Sequence, residues 1–137
     1  MNKAFIDTDV ILDFLIAREP HVADAARIFS LAENKEIAIC TTGLVFSNAY
    51  YVLRKLGTHR KVVGKLTQLS RLIDIIALSN AAVVQALGSD FSDFEDALQH
   101  YAALADGVKV IVTRNTKDYK QSQLAVLTPD QYLKSRN

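Results

Sequence analysis

Short apolar runs alternate with longer amphipathic stretches along the whole chain. The runs are rich in β-branched residues, which predicts strands over residues 3–7, 36–40, 72–78 and 109–113, with a shorter edge strand over 124–127. The stretches between them carry apolar residues every three or four positions. They predict helices over residues 10–17, 20–32, 44–56, 58–69, 80–88 and 93–105, and a short one from 129.

Capping residues predict where several of these helices begin and end. Asp9 or Thr8 is expected to cap the first helix, and Pro20 fits the first turn of the second. Gly57 is expected to end the helix over residues 44–56.

A capping box is predicted before the helix over residues 93–105. Ser92 and Glu95 have the required spacing, so the helix should begin at Asp93. Asp93 and Asp96 would then lie on one face of the helix, close to the positive end of its dipole.

The alternation of strands and helices predicts the fold class. It is typical of a mostly parallel sheet of four or five strands with helices on both faces, a three-layer α/β/α sandwich. A chain of 137 residues with 50% apolar residues is expected to form one domain over residues 1–137.

Composition excludes several classes of protein. Charged residues make up 23% of the chain with a net charge of +1, which argues against intrinsic disorder. No apolar run reaches the roughly 18 residues of a membrane span, and acids interrupt the N-terminal apolar segment, unlike a signal peptide. The single cysteine, Cys40, rules out an internal disulfide and a Cys-rich zinc site. We therefore expect a soluble, cytoplasmic protein.

Charge is distributed unevenly along the chain. Residues 37–73 contain six basic side chains and no acid, whereas the remainder carries 10 basic and 15 acidic ones. A basic middle segment beside acidic ends suits a polyanion that lies across a positive surface towards a carboxylate site.

Polar side chains follow two of the predicted strands. Asp7 ends the first strand, and Thr113, Arg114 and Asn115 end the fourth. Ligands of parallel α/β sheets bind outside the carboxyl ends of the strands, so we expect these side chains near a site. Asp96 lies beside an apolar helix face, where a carboxylate needs a partner.

The candidate ligands are hard oxygen donors from three separate stretches of chain: Asp7, Asp96, Asn115 and Asp118. Oxygen donors without sulfur or clustered imidazole favour Mg²⁺ or Mn²⁺ over Zn²⁺. The three histidines are far apart in sequence, and His100 is expected on a helix surface.

Four segments together resemble a known family. They are FIDTDVILDFL at 5–15, NAYYVLRK at 48–55, DFEDAL at 93–98 and VTRNTKDY at 112–119. In this order and spacing the chain is similar to PIN-domain ribonucleases, most closely to bacterial toxins of the VapC type. The resemblance implies a PIN-like α/β/α sandwich, a carboxylate cluster that binds Mg²⁺ or Mn²⁺, and cleavage of RNA. It also implies a homodimer and a small antitoxin partner.

The resemblance assigns roles to individual residues. Asp7 matches the family's first acid and Asp96 the acid early in the late helix, while Asp118, with Asn115, matches the last acidic element. These three aspartates are the expected catalytic and metal-binding residues, with Asn115 and Asp93 as further ligands.

The sequence departs from the family pattern at two positions. Asn48 stands where a Glu is usual, and Asp9 where Asn or Ser is more common. Asn48 can still offer a carbonyl oxygen, and Asp9 can restore negative charge if it faces the site. We treat both, with Thr113, as accessory residues.

The expected reaction is hydrolysis by a metal-activated water, which leaves a 5′-phosphate and a 3′-hydroxyl. Positive side chains are expected to contact the RNA backbone: Arg114, Arg54, Lys55, Arg60 and Lys61.

Two alternatives remain at this point. A PIN-like module weakened by Asn48 would only bind RNA or a partner protein. A phosphatase of the haloacid dehalogenase type would use Asp7 as nucleophile and Asp9 as acid/base, but it also needs a lysine and a later acidic pair, and only 24 residues follow Thr113.

Overall fold

The structure is a computed structural model that describes residues 2–136. Its centre is one five-stranded sheet in the order β3-β2-β1-β4-β5, and every neighbouring pair is parallel. The strands are β1 (Lys3–Ile6), β2 (Ala38–Thr42), β3 (Asp74–Ile76), β4 (Val110–Val112) and β5 (Ala125–Leu127). The predicted parallel sheet is confirmed, but β3 is shorter than predicted and β2 begins and ends two residues later than predicted.

Within residues 2–136, seven helices flank the sheet: α1 (Thr8–Leu15), α2 (Val22–Glu33), α3 (Gly43–Leu53), α4 (His59–Ser70), α5 (Asn80–Leu87), α6 (Phe94–Ala105) and α7 (Pro129–Ser135). A 3-10 turn covers Thr116–Tyr119. Contacts link α1, α2, α3, α4 and α7 into one group, and α5, α6 and the 3-10 turn into another. From β1 the strand order runs outward in two opposite directions. Right-handed crossovers therefore place the two groups on opposite faces, which confirms the α/β/α sandwich.

The main core lies between the sheet and its helices. Phe5, Ile6, Cys40 and Ile111 on the central strands are completely buried. Strands covered on both faces are apolar throughout rather than alternating, as is typical of parallel sheets. No helix within residues 2–136 is long and apolar enough to cross a bilayer.

Two predictions about the first two helices were wrong. Asp7, rather than Asp9 or Thr8, caps α1, because its carboxylate accepts a hydrogen bond from the backbone N–H of Thr8 at 2.7 Å. Helix α2 begins only at Val22, so Pro20 lies in the turn before it instead of in its first turn.

The prediction that Gly57 ends the third helix was also wrong. Helix α3 stops at Leu53, and Gly57 lies in the turn that leads to α4. The Arg54 guanidinium donates to the Gly57 carbonyl at 3.0 Å, which closes this turn. The side-chain oxygen of Thr58 then caps α4 by accepting from the Lys61 N–H.

Helix α6 begins differently from the prediction. Its N-cap is Asp93, whose Oδ1 accepts from the Asp96 N–H at 3.0 Å, so Ser92 and Glu95 form no capping box. A carboxylate is a strong acceptor at the positive end of a helix, which explains why Asp93 takes this place.

His100, also on α6, was expected on the surface but is fully buried. Its ring lies 5.0 Å from that of Phe91, measured between centroids, and Nδ1 is 3.1 Å from the Ser122 hydroxyl. This face of α6 packs inward, which the sequence did not indicate.

Candidate active site

A cavity of about 380 Å³ opens at the carboxyl ends of β1 and β4. The chain runs outward in opposite directions from these two strands, so the cavity lies at the topological switch point of the sheet. Six carboxylates line it: Asp7, Asp9, Asp93, Glu95, Asp96 and Asp118. Thr8, Leu12, Arg18, Gln99, Arg114 and Asn115 complete its wall. The three expected catalytic aspartates, from three stretches of chain, therefore share one cavity.

Asp7 is held at the junction of β1 and α1, where it is only 7% exposed. Its Oδ1 accepts from the Thr8 N–H, and its Oδ2 accepts from the Thr113 hydroxyl at 2.9 Å and the Tyr119 hydroxyl at 3.3 Å. All three donors are neutral, so no cationic side chain of the described residues is bonded to this carboxylate to cancel its negative charge.

Burial raises the pKa of Asp7 from 3.8 to about 6, and repulsion from Asp9 adds to the effect. The hydrogen bonds from Thr8, Thr113 and Tyr119 lower the pKa but do not offset the loss of hydration.

Asp96 shows the same effect more strongly. Burial raises its pKa from 3.8 to about 7, with further contributions from the charges of Asp7, Asp93 and Asp118. The Tyr119 hydroxyl lowers it only in part. Since these carboxylates perturb one another, they lie within electrostatic reach, and a cation placed among them would relieve their repulsion.

Asp9 turns towards the cavity. Its Oδ2 accepts from the backbone N–H of Arg114 at 3.1 Å and from Asn115 Nδ2 at 3.2 Å. Burial is the main cause that raises its pKa. Within residues 2–136, its Oδ1 and Gln99 Oε1 are buried oxygens without a hydrogen-bond partner. Both residues line the cavity, so its wall includes two residues whose buried oxygens have no donor among the described residues.

Two hydroxyl groups organise the floor of this site. The Thr113 hydroxyl donates to Asp7 and accepts from the Asn115 N–H at 3.1 Å. The pKa of Tyr119 is raised by burial and by the charges of Asp7 and Asp96, so its hydroxyl keeps its proton and remains a donor. Tyr119 was not among the predicted site residues, although it ends the VTRNTKDY segment.

The donor set fits a hard divalent cation. It consists of carboxylate and amide oxygens, and burial and mutual repulsion disfavour its charged state. No group of three or more His, Cys, Asp or Glu side chains in residues 2–136 is arranged to hold a metal ion by itself. This arrangement suits Mg²⁺ or Mn²⁺ held by one or two carboxylates with water, rather than a closed protein cage.

Asn48 does not line the cavity, but its side chain is bonded to Glu95, which does. The Asn48 Nδ2 donates to Glu95 Oε1 at 3.0 Å, and Glu95 lines the cavity. Glu95 was missed as a site residue because its spacing from Ser92 predicted a capping role.

Arg114 is not a free side chain at the cavity rim. Its Nε donates to Asp13 Oδ2 at 2.7 Å and its Nη2 to Oδ1 at 3.2 Å. Arg18 donates to the same carboxylate at 2.9 Å. Asp13 and Arg18 were also missed. The signal for Asp13 was a carboxylate inside the apolar run of α1, which requires a buried partner.

The other predicted RNA-binding residues lie apart from the carboxylates. Arg54 and Lys55 follow α3, and Arg60 and Lys61 are on the first turn of α4. All four are exposed, and none is among the described residues that line the carboxylate cavity.

The family model of the PIN domain matches residues 3–117. The chain therefore belongs to the PIN-domain family, as its sequence motifs predicted. Because the chain belongs to this family, the haloacid dehalogenase alternative is wrong.

One relative of this chain is a VapC-type ribonuclease. Ribonuclease VapC1 of Aquifex aeolicus (strain VF5) is 25% identical over 141 aligned residues, which cover 99% of this chain and 96% of VapC1. The VapC-type resemblance is thereby confirmed.

Solved structures share the fold at lower identity. A toxin-antitoxin complex from Klebsiella pneumoniae has a TM-score of 0.69 at 17% identity, covering 92% of this chain and 97% of that one. The sarcin-ricin loop cleaving toxin VapC20 of Mycobacterium tuberculosis has a TM-score of 0.62 at 20% identity, covering 79% and 86%. VapBC2 of Rickettsia felis, bound to a promoter DNA fragment, has a TM-score of 0.65 at 18% identity, covering 91% and 96%.

Proposed function

We propose that this PIN-domain protein is a metal-dependent endoribonuclease and the toxin of a toxin-antitoxin pair. The observation that carries the proposal is the meeting of Asp7, Asp96 and Asp118 in one cavity at the switch point of the sheet. Burial and mutual repulsion there raise the pKa of Asp7 and Asp96, an electrostatic state typical of a cation site.

Asp7 and Asp96 are the principal metal ligands in this proposal, with Asp118, Asn115 and Asp93 within the same cavity. When bound, Mg²⁺ or Mn²⁺ supplies an activated water near neutral pH and neutralises charge on the phosphoryl oxygens. Hydrolysis breaks the bond between phosphorus and the 3′ oxygen, so the products carry a 5′-phosphate and a 3′-hydroxyl.

The remaining residues hold the carboxylates in place. Thr113 and Tyr119 donate to the same oxygen of Asp7, which fixes the orientation of its carboxylate without cancelling its charge. Asp93 caps α6 through the Asp96 N–H and so fixes the backbone from which the Asp96 side chain projects.

A non-catalytic PIN-like module is the second candidate, and Asn48 is the observation that favours it. An amide at this position removes a carboxylate that is usual in the family. Glu95 weakens this alternative, because it brings a carboxylate to the same cavity while its side chain is held by Asn48.

The proposed partners are RNA, a small antitoxin protein and a second copy of the chain. The antitoxin partner is proposed because the similar structure from Klebsiella pneumoniae is a toxin-antitoxin complex.

The test combines RNA cleavage with metal binding. The wild type should cleave RNA when Mn²⁺ is added and should bind Mn²⁺ saturably in calorimetry. Asp7→Asn and Asp96→Asn should each lower the cleavage rate by at least about 100-fold, since metal affinity depends on these carboxylates. Asp90→Asn, an exposed acid outside the cavity, is the matched control and should behave like the wild type.

Equal cleavage by the wild type and both cavity variants would contradict the proposal. If the wild type binds RNA but takes up no Mn²⁺ at millimolar concentration, the non-catalytic module is the correct function.

A further inference from the structure

A polyanion entering the carboxylate cavity faces strong repulsion. Six acidic side chains line this cavity, and its basic residues are Arg18 and Arg114. A backbone phosphate must therefore be bound by a cation, by these two guanidinium groups, or by both. Arg18, which follows α1, was not indicated by any sequence motif.

Asp13 fixes the two arginines side by side. Its carboxylate is fully buried and accepts from Arg114 Nε at 2.7 Å, from Arg114 Nη2 at 3.2 Å and from Arg18 Nε at 2.9 Å. Arg18 Nη2 also donates to the Asp9 carbonyl at 3.1 Å. The two-point contact with Arg114 is the planar geometry that guanidinium and carboxylate groups favour.

These contacts occupy only part of the N–H donors of each guanidinium group. Each has five N–H donors, and within residues 2–136 each forms two hydrogen bonds. The side chains of Arg18 and Arg114 remain 37% and 30% exposed. One carboxylate is neutralised by one guanidinium, so Asp13 leaves the pair with a net positive charge and free donors at the cavity wall.

From this geometry we propose that Arg18 and Arg114, held by Asp13, bind a backbone phosphate of single-stranded RNA as it enters the carboxylate cavity. The inference rests on the proposed ribonuclease function and adds a substrate-binding site to it. Asp13 acts as a positioning residue, since it touches the arginines and not the RNA. Holding both side chains before binding reduces the rotamer entropy that is lost when the phosphate arrives.

The test measures binding of a fluorescently labelled single-stranded RNA in EDTA, so that no metal contributes, at several salt concentrations. Arg18→Gln should weaken binding by about tenfold. It should also reduce the slope of log affinity against log salt by about one unit, because one phosphate contact is lost. Arg27→Gln, an exposed arginine on α2 outside the cavity, is the matched control and should leave both quantities unchanged.

Asp13→Asn tests the positioning role. Circular dichroism first shows that the Asp13→Asn protein is folded. This variant should then have a lower affinity for RNA and a smaller salt slope, as Arg18→Gln does, although it keeps both arginines. With metal added, both variants should raise KM for RNA more than they lower kcat. A purely structural Asp13 would change stability and leave the salt slope of the folded protein at the wild-type value. If Asp13→Asn fails to fold, Arg18→Gln alone decides the proposal.

The outcomes separate this inference from the ribonuclease proposal. If the wild type cleaves RNA and Arg18→Gln binds RNA with wild-type affinity and slope, the phosphate site is wrong and the nuclease stands. If Arg18→Gln loses binding in EDTA but the wild type does not cleave RNA with metal, the phosphate site stands and the nuclease is wrong.

Discussion

Two buried aspartates only six positions apart have opposite environments in this protein. Asp7 is 7% exposed and lies between β1 and α1, whereas Asp13 is completely buried and lies within α1. Asp7 accepts hydrogen bonds from neutral donors and has other carboxylates as neighbours, whereas Asp13 accepts from two guanidinium groups.

This difference separates a carboxylate that can bind a cation from one that is already paired. A buried charge is stable only with a counter-charge, and among residues 2–136 Asp13 has one whereas Asp7 has none. Asp7 therefore provides negative charge for a ligand, while Asp13 supports the side chains around the site.

The largest expected effect on stability comes from removing the charge of Asp13. Asp13→Asn should lower the free energy of unfolding by about 3 kcal/mol, since two guanidinium groups lose a buried counter-charge. Asp7→Asn should change it by less than about 1 kcal/mol in EDTA at neutral pH, because the hydrogen bond lost at the amide nitrogen is offset by the removal of a buried negative charge. Urea denaturation monitored by circular dichroism measures both, with Asp90→Asn as control. Equal destabilisation by the two substitutions would contradict the difference between a paired carboxylate at Asp13 and an unpaired one at Asp7.

A smaller effect is expected in the pH dependence of the metal-free protein. Folding raises the pKa of Asp7 from 3.8 to about 6, so the folded state binds the proton more tightly. The resulting stability is complete below pH 3.8 and is lost as the pH rises through 6. Relative to Asp7→Asn, the wild type should therefore lose roughly 2 kcal/mol between pH 4 and pH 7.5.

Urea denaturation of both proteins in EDTA at several pH values checks this pH dependence. Titration of the other groups is common to the two proteins, so its effect cancels when their free energies of unfolding are subtracted. A difference that stays constant with pH would mean that Asp7 titrates normally in the fold.

The smallest effect is expected outside the carboxylate cavity, on the basic helix α4. Arg60→Gln together with Lys61→Gln should weaken RNA binding by about threefold and reduce the salt slope, because exposed side chains make screened contacts with phosphates. The kcat for cleavage should not change, since neither residue lines the carboxylate cavity. Unchanged affinity and slope in fluorescence anisotropy would exclude this surface from RNA binding.

The sequence predicted the strands, and the place of Asp7 at the end of β1, for physical reasons that are local. Apolar runs such as that of β1 can only be buried, and Asp7 directly follows one of them, so its place at the sheet edge follows from the chain order. The exact helix starts were less predictable, because Asp7 and Thr8 are both good caps and only the backbone geometry chooses between them.

Contacts between distant segments were not predictable. The bond from Asn48 to Glu95 joins residues 47 positions apart, and the pair of Asp13 and Arg114 spans 101 positions. Residue pairs so far apart along the chain produce no periodic pattern in the sequence. The burial of His100 depends likewise on Phe91 and Ser122, which pack against one side of α6.

The sequence by itself determined the layers of the fold and the number of carboxylates available for a site, because hydrophobic periodicity and residue type act over a few positions. Only the tertiary structure decided which acids remain unpaired in the cavity and which are bound by arginine. That choice depends on the electrostatic field of residues brought together from separate strands and helices, and the strength of this field is set by distances in space rather than along the chain.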